Sequence, residues 1–274
     1  MIKHRGQKQQ RDMRLIALVI VALLIPIGAL SYSHRVAIKH TIAQWTAPPL
    51  PAEEAYPQTP IVTSTEDEVM PVPPAPLATP GTIPPEKRLA VPFMSQAPHA
   101  NWDMPYQEAC EEASALMAVG YYQGDRGKYN PDVADKKILD LVAFQEKEYG
   151  FYKDTSAAET KRFMEALFPD LTVQIVPLKD AEQIKQYIAD GYPVIVPADG
   201  KTLPNPNFQN GGPLFHMLVI RGYTETQFIT NDPGTRLGEN FLYEYEGLLN
   251  AIHDWNNGDV PNGEKVILVV KPRD

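Results

Sequence analysis

From about residue 87 onward, apolar positions recur at two distinct spacings. In "EEASALMAVGYYQ" the residues Ala113, Leu116, Met117 and Gly120 fall on one helical face. "PDVADKKILDLVAFQEKEYG" predicts a second helix, opened by Pro131 and stopped by Gly150. "SAAETKRFMEALF" starts with Ser156 and has Glu159 three residues on, the signature of a capping box. The pattern then alternates: a strand in "LTVQIVPL", a helix in "DAEQIKQYIADG", a strand in "YPVIVPA". After a loop rich in Pro, Asn and Gly, "DGKTLPNPNFQNGGP", the chain turns to strands in "FHMLVIRGYT", "QFITND" and "EKVILVVK", with a short helix expected in "EYEGLLNAIHDW". Helices come first and antiparallel strands later, which predicts an α+β domain over 87–274 rather than a doubly wound sheet.

Ahead of that domain the pattern changes twice. Leu15 to Leu30 is a nearly unbroken apolar run, preceded by Lys3, Arg5, Lys8, Arg11 and Arg14. A spanning helix needs roughly 20 apolar residues, and the interfacial flanks Met13 and Tyr32 bring the run into range. Residues 1–12 read as a basic cytoplasmic N-terminus and 13–32 as a single membrane anchor, with everything downstream extracytoplasmic. The competing reading is a signal peptide, cleaved to release a secreted protein. Residues 33–86 read as a stalk and spacer: 12 of the 38 residues from Pro48 to Pro85 are proline, a composition that extends rather than packs.

Composition narrows the chemistry. The formal net charge of −9 argues against nucleic acid as a partner. Cys110 is the only cysteine, so no intrachain disulfide is possible, and a lone thiol outside the cytoplasm is either well buried or has a task. It sits in the predicted first turn of a helix, where the dipole and unpaired amides favour thiolate. Glu111 and Glu112 share that turn and oppose thiolate, so they are expected to point to solvent or to a basic partner. Of six histidines, His4 lies across the membrane and His34 and His40 lie in the stalk; His99, His216 and His253 remain. His216 opens a strand after the Gly-rich loop, and the next strand ends in Asn231-Asp232-Pro233. A hairpin brings His216 beside one of Asn231 and Asp232, and alternation of faces sends the other away. Gln96 and Gln107 are candidate oxyanion donors beside the Cys110 amide. Glu108 and Glu112 are four apart, but without paired histidines they make no metal motif; neither a metal nor an organic cofactor is expected.

These pieces together resemble the papain-like cysteine peptidases of family thirty-nine, the double-glycine leader peptidases, and more closely their stand-alone exported bacterial relatives. The resemblance rests on "VPFMSQAP", "WDMPYQEACEEASALMAVGYY", "QIKQYIADGYPVIVP", "HMLVIRGY" and "FITNDPGT", in family order over about residues 89 to 235. It implies a papain-like fold with a nucleophile helix packed on an antiparallel sheet. It implies Cys110 as nucleophile, His216 as general base and acid, Asp232 as the residue that orients it, and Gln96 as oxyanion donor. The implied activity is cleavage of peptide or amide bonds, with peptides or cell-wall peptide stems as substrates. A binding module without turnover, or an acyl transferase using the same residues, are the alternatives. Here "ACEEAS" stands in place of the "CGPAS" type of core.

Overall fold

The computed structural model describes residues 49–57 and 83–273. The expected N-terminal segment, the anchor at 13–32 and most of the stalk and spacer lie outside the described residues. Among those described, no helix is long and apolar enough to cross a membrane.

Among the described residues, eight strands and five helices build a mixed α+β domain. In chain order they are β1 (Glu53–Glu54), β2 (Lys87–Leu89), α1 (Cys110–Gln123), α2 (Pro131–Tyr149), α3 (Ala157–Leu167), β3 (Leu171–Pro177), α4 (Ala181–Ala189), β4 (Val194–Asp199), β5 (Phe215–Tyr223), β6 (Gln227–Asn231), β7 (Phe241–Glu244), α5 (Tyr245–Ala251) and β8 (Val266–Pro272). The sheet runs β1-β2-β5-β4-β8-β3, with β6 and β7 branching from β5. Every pairing is antiparallel except β1 with β2. All nine residues of β5 are buried. This strand bonds to β2, β4 and β6, so a side chain on it is held from several directions.

The predicted helix starts are where their caps put them. Asn130 accepts the Asp132 N–H with Pro131 in the first turn, and Ser156 and Glu159 complete the capping box. Helix α1 departs from the one-faced reading. Twelve of its fourteen residues, Cys110 through Tyr121, are buried. A helix buried all round must be apolar or small on every side, and Ala113, Ala115, Ala118 and Gly120 supply the small surfaces.

The spacer reading needs a correction at 49–57. Glu53 and Glu54 pair with Arg88 and Leu89, and Tyr56 packs edge-on against Tyr121 and Tyr122 with ring centres 5.7 and 4.8 Å away. The physical reason lies in β5, where a bulge falls between Ile220 and Gly222. A bulge re-aims side chains, and the Arg221 guanidinium, 2% exposed, reaches Glu53 Oε1 at 2.6 Å and the Leu89 carbonyl. Proline content gave no sign that the short stretch Glu53–Glu54 joins the sheet. The short strands β1, β2 and β7 are too brief to leave a periodic signal.

Candidate active site

The N-terminus of α1, the start of β5 and the turn that follows β6 converge on a cavity of about 770 Å³. Its lining includes Gln96, Gln107, Cys110, Glu111, Phe208 and His216. Helix α1 is held against β5 by Ser114, whose hydroxyl donates to the Met217 carbonyl at 3.0 Å. His99 and His253 are elsewhere: His99 meets Asp132 at the surface, and His253 Nδ1 lies by the Ala251 carbonyl.

His216 Nε2 lies 2.8 Å from Asp232 Oδ1, both side chains being buried. The alternation left open by the hairpin is resolved here. Asp232 turns to His216, while Asn231 turns away and donates to the carbonyls of Val91 and Pro92. Each oxygen of Asp232 is spoken for. Oδ1 also accepts the Gly234 N–H at 3.0 Å, and Oδ2 accepts Tyr243 Oη at 2.7 Å and Asn205 Nδ2 at 2.9 Å. Burial alone would raise this carboxyl. The His216 ring, the Tyr243 hydroxyl and the Gly234 amide outweigh it and hold Asp232 below its ordinary value. An ionised Asp232 accepts the His216 Nε2–H, and that tautomer leaves Nδ1 as the ring's lone-pair base.

Phe208 sets its ring edge-on to His216 at 5.3 Å between centres. On the other side Gly234 allows close approach: a Cβ there would sit 2.8 Å from His216 Cε1. Asn205 and Tyr243, which hold Asp232 in place, are positions that sequence reasoning missed. Asn205 lies in the Gly/Pro loop that read as mere connection, and Tyr243 lies in the unpredicted β7. An Asn between two prolines in "LPNPN" was the one available hint of a fixed loop.

The two glutamates overturn the expectation made for them. Glu111 and Glu112 are 1% and 0% exposed and have no basic partner among the described residues. Glu112 Oε1 accepts from Gln145 Nε2, and burial pushes its carboxyl up to about 8. Glu111 Oε2 lies 3.1 Å from Cys110 Sγ. Burial, then Glu111 and Glu112, push the Cys110 thiol well above its ordinary value, with the Met217 N–H working the other way.

Gln96 and Gln107 both line the cavity. Gln96 Nε2 donates to the carbonyls of Tyr106 at 3.0 Å and Gln107 at 3.2 Å, and its Oε1 is buried with no partner among the described residues. In this arrangement Gln96 braces the Tyr106–Glu108 turn that leads into α1. Among the described residues the Cys110 N–H has no acceptor, as expected at a helix start. No group of three or more His, Cys, Asp or Glu able to hold a metal occurs among the described residues.

A cysteine at the buried start of a helix thus shares a cavity with a histidine on the adjoining sheet, within a mixed α+β fold. The chain belongs to the Peptidase_C39 like family, which it matches over residues 88–257. Among solved structures it is similar to a Bacillus anthracis protein described as a C39-like peptidase. The two are 17% identical with a TM-score of 0.43, over 67% of this chain and 96% of that one. Among curated proteins none matches.

Proposed function

We propose that the domain is a thiol hydrolase that cleaves peptide bonds, or the amide bonds of cell-wall peptide stems. It is held outside the cytoplasm by an anchor at residues 13–32, or is released there if that segment is cleaved as a signal peptide. The observation that carries this reading is the His216–Asp232 pair at 2.8 Å beside a cavity that His216 and Cys110 both line, with His216 Nδ1 unpartnered among the described residues. His216 Nδ1 takes the thiol proton, and Cys110 Sγ attacks the substrate carbonyl carbon. The developing oxyanion accepts the unspent Cys110 N–H and a side-chain amide. Gln107 has its amide free among the described residues; Gln96 serves if it releases one of its two carbonyls. Collapse breaks the C–N bond, and His216 gives its proton to the leaving amine. Water, deprotonated by His216, then releases the acyl group and restores the thiol. Trp102 and Leu214, 42% and 48% exposed at the cavity, offer apolar contact to substrate side chains.

A binding module without turnover is favoured by one observation, the raised thiol of Cys110. Incubation of the protein with a peptide library and with purified cell-wall peptides separates the two. New termini that appear with wild type and vanish with Cys110→Ala and His216→Ala support hydrolysis. Tight binding of the same peptides without new termini supports the module.

A further inference from the structure

Glu111 follows the proposed nucleophile, and the steps above give it no role. Its carboxyl bridges two groups: Oε1 accepts the Thr155 N–H at 2.9 Å, and Oε2 faces Cys110 Sγ at 3.1 Å. The titratable groups that act on it are Cys110 and Glu112 on α1 and Asp154 in the turn before α3; Glu108 and His216 line the same cavity, and Lys153 adjoins Asp154. Lys153 acts on Asp154 and Glu108, and no cation pairs with Glu111 among the described residues. A buried carboxylate in that company lacks a counter-charge. A neutral carboxylic acid fits the geometry better, with its carbonyl oxygen on the Thr155 amide and its hydroxyl oxygen on the sulfur. Burial and the Glu112 carboxyl both act to keep that proton in place.

We propose that Glu111 is a second catalytic residue at the sulfur, a protonated acid whose Oε2–H donates a hydrogen bond to the Cys110 thiolate. Its ionisation switches the nucleophile off. The inference rests on Cys110 being the nucleophile. When His216 Nδ1 removes the thiol proton, the negative charge on Sγ is met by Oε2–H. The sulfur lone pair forms the S–C bond, the carbonyl π electrons move to oxygen, and the proton on Oε2 stays with Glu111 throughout. The hydrogen bond replaces, at a buried sulfur, part of the solvation that water would give. Once Glu111 loses its proton, a carboxylate faces the sulfur and opposes thiolate.

The test reads the sulfur directly, as the rate of Cys110 alkylation by iodoacetamide from pH 5 to 9. It uses the full chain in mild detergent: wild type, Glu111→Gln, Glu111→Met and His216→Ala. A glutamine can accept from Thr155 and donate to Sγ at every pH. Glu111→Gln is therefore expected to react faster than Glu111→Met at neutral pH and to outrun wild type as pH rises. Glu111→Met, with no donor, is expected to slow roughly tenfold to a hundredfold, the worth of one hydrogen bond to an ion. Equal loss in both variants would overturn the proposal, since the carboxylate would then be what matters. No loss in Glu111→Met would overturn it as well. An unchanged rate in His216→Ala would instead sink the Cys–His reading and leave the Glu111 comparison readable. Should Glu111→Met not fold, an infrared difference between wild type and Glu111→Gln at neutral pH decides. The carbonyl band of a protonated acid supports the proposal, and its absence overturns it.

Discussion

Replacing Glu112 by glutamine tests the electrostatics of the α1 start through stability. Glu112 is fully buried, and its carboxyl rises from an ordinary 4.5 to about 8. Between those two values the folded state holds a proton that the unfolded chain has released. The stability contributed is full below about pH 4.5 and drains as pH climbs to about 8. Each pH unit in that window costs up to about 1.4 kcal/mol per such group, so from pH 4.5 to 7 Glu112 alone accounts for about 3 kcal/mol. Glu111 is shifted in the same direction. Asp232 is shifted the opposite way, so its contribution is lost only as pH falls below the ordinary carboxylate range. Urea unfolding of wild type and Glu112→Gln at half-unit steps from pH 5 to 8 measures the slope. The variant can lose about 1–3 kcal/mol overall, because glutamine places an N–H where Oε2 has no partner. The readout is the slope, which should be shallower than wild type by about 1 kcal/mol per pH unit. Parallel slopes would refute the claim that Glu112 enters the fold protonated.

Other expectations follow from single contacts. Tyr243→Phe removes one donor from Asp232 Oδ2 and should cost about 1.5–3 kcal/mol, read by thermal unfolding, and should slow Cys110 alkylation. Glu53→Ala should destabilise the domain by about 1–3 kcal/mol in urea, because it leaves the Arg221 guanidinium buried without its anion. Gly234→Ala drives a methyl into His216, so activity against any identified substrate should fall while circular dichroism stays native.

How far the sequence could be read depended on the range of each interaction. The helix starts at Pro131 and Ser156 were legible because a cap is a contact between near neighbours. Cys110 and His216 stood out as scarce residue types at element ends, while the hairpin left Asn231 and Asp232 open and only the family resemblance chose Asp232. In the structure Cys110 and His216 line one cavity, and Asp232 meets His216. Asn205 and Tyr243 were not legible. Both hold Asp232, 27 and 11 residues away, and beyond the prolines that flank Asn205 no local pattern marks either. The docking of Glu53 on Arg221 spans 168 residues and depends on a bulge that no periodicity marks. The glutamates of α1 were misjudged because burial was read from one helical face, whereas the helix is enclosed on all sides.

The central claim is that Cys110 becomes a nucleophile through His216. Its most direct test is a pre-steady-state reaction of the protein with an activated peptide ester, quenched in acid and read by intact mass and peptide mapping. The account predicts a stoichiometric acyl adduct on Cys110 that forms at least about a hundredfold more slowly in His216→Ala, the usual worth of a positioned base. No adduct on Cys110, or one that forms equally fast without the His216 imidazole, would contradict it.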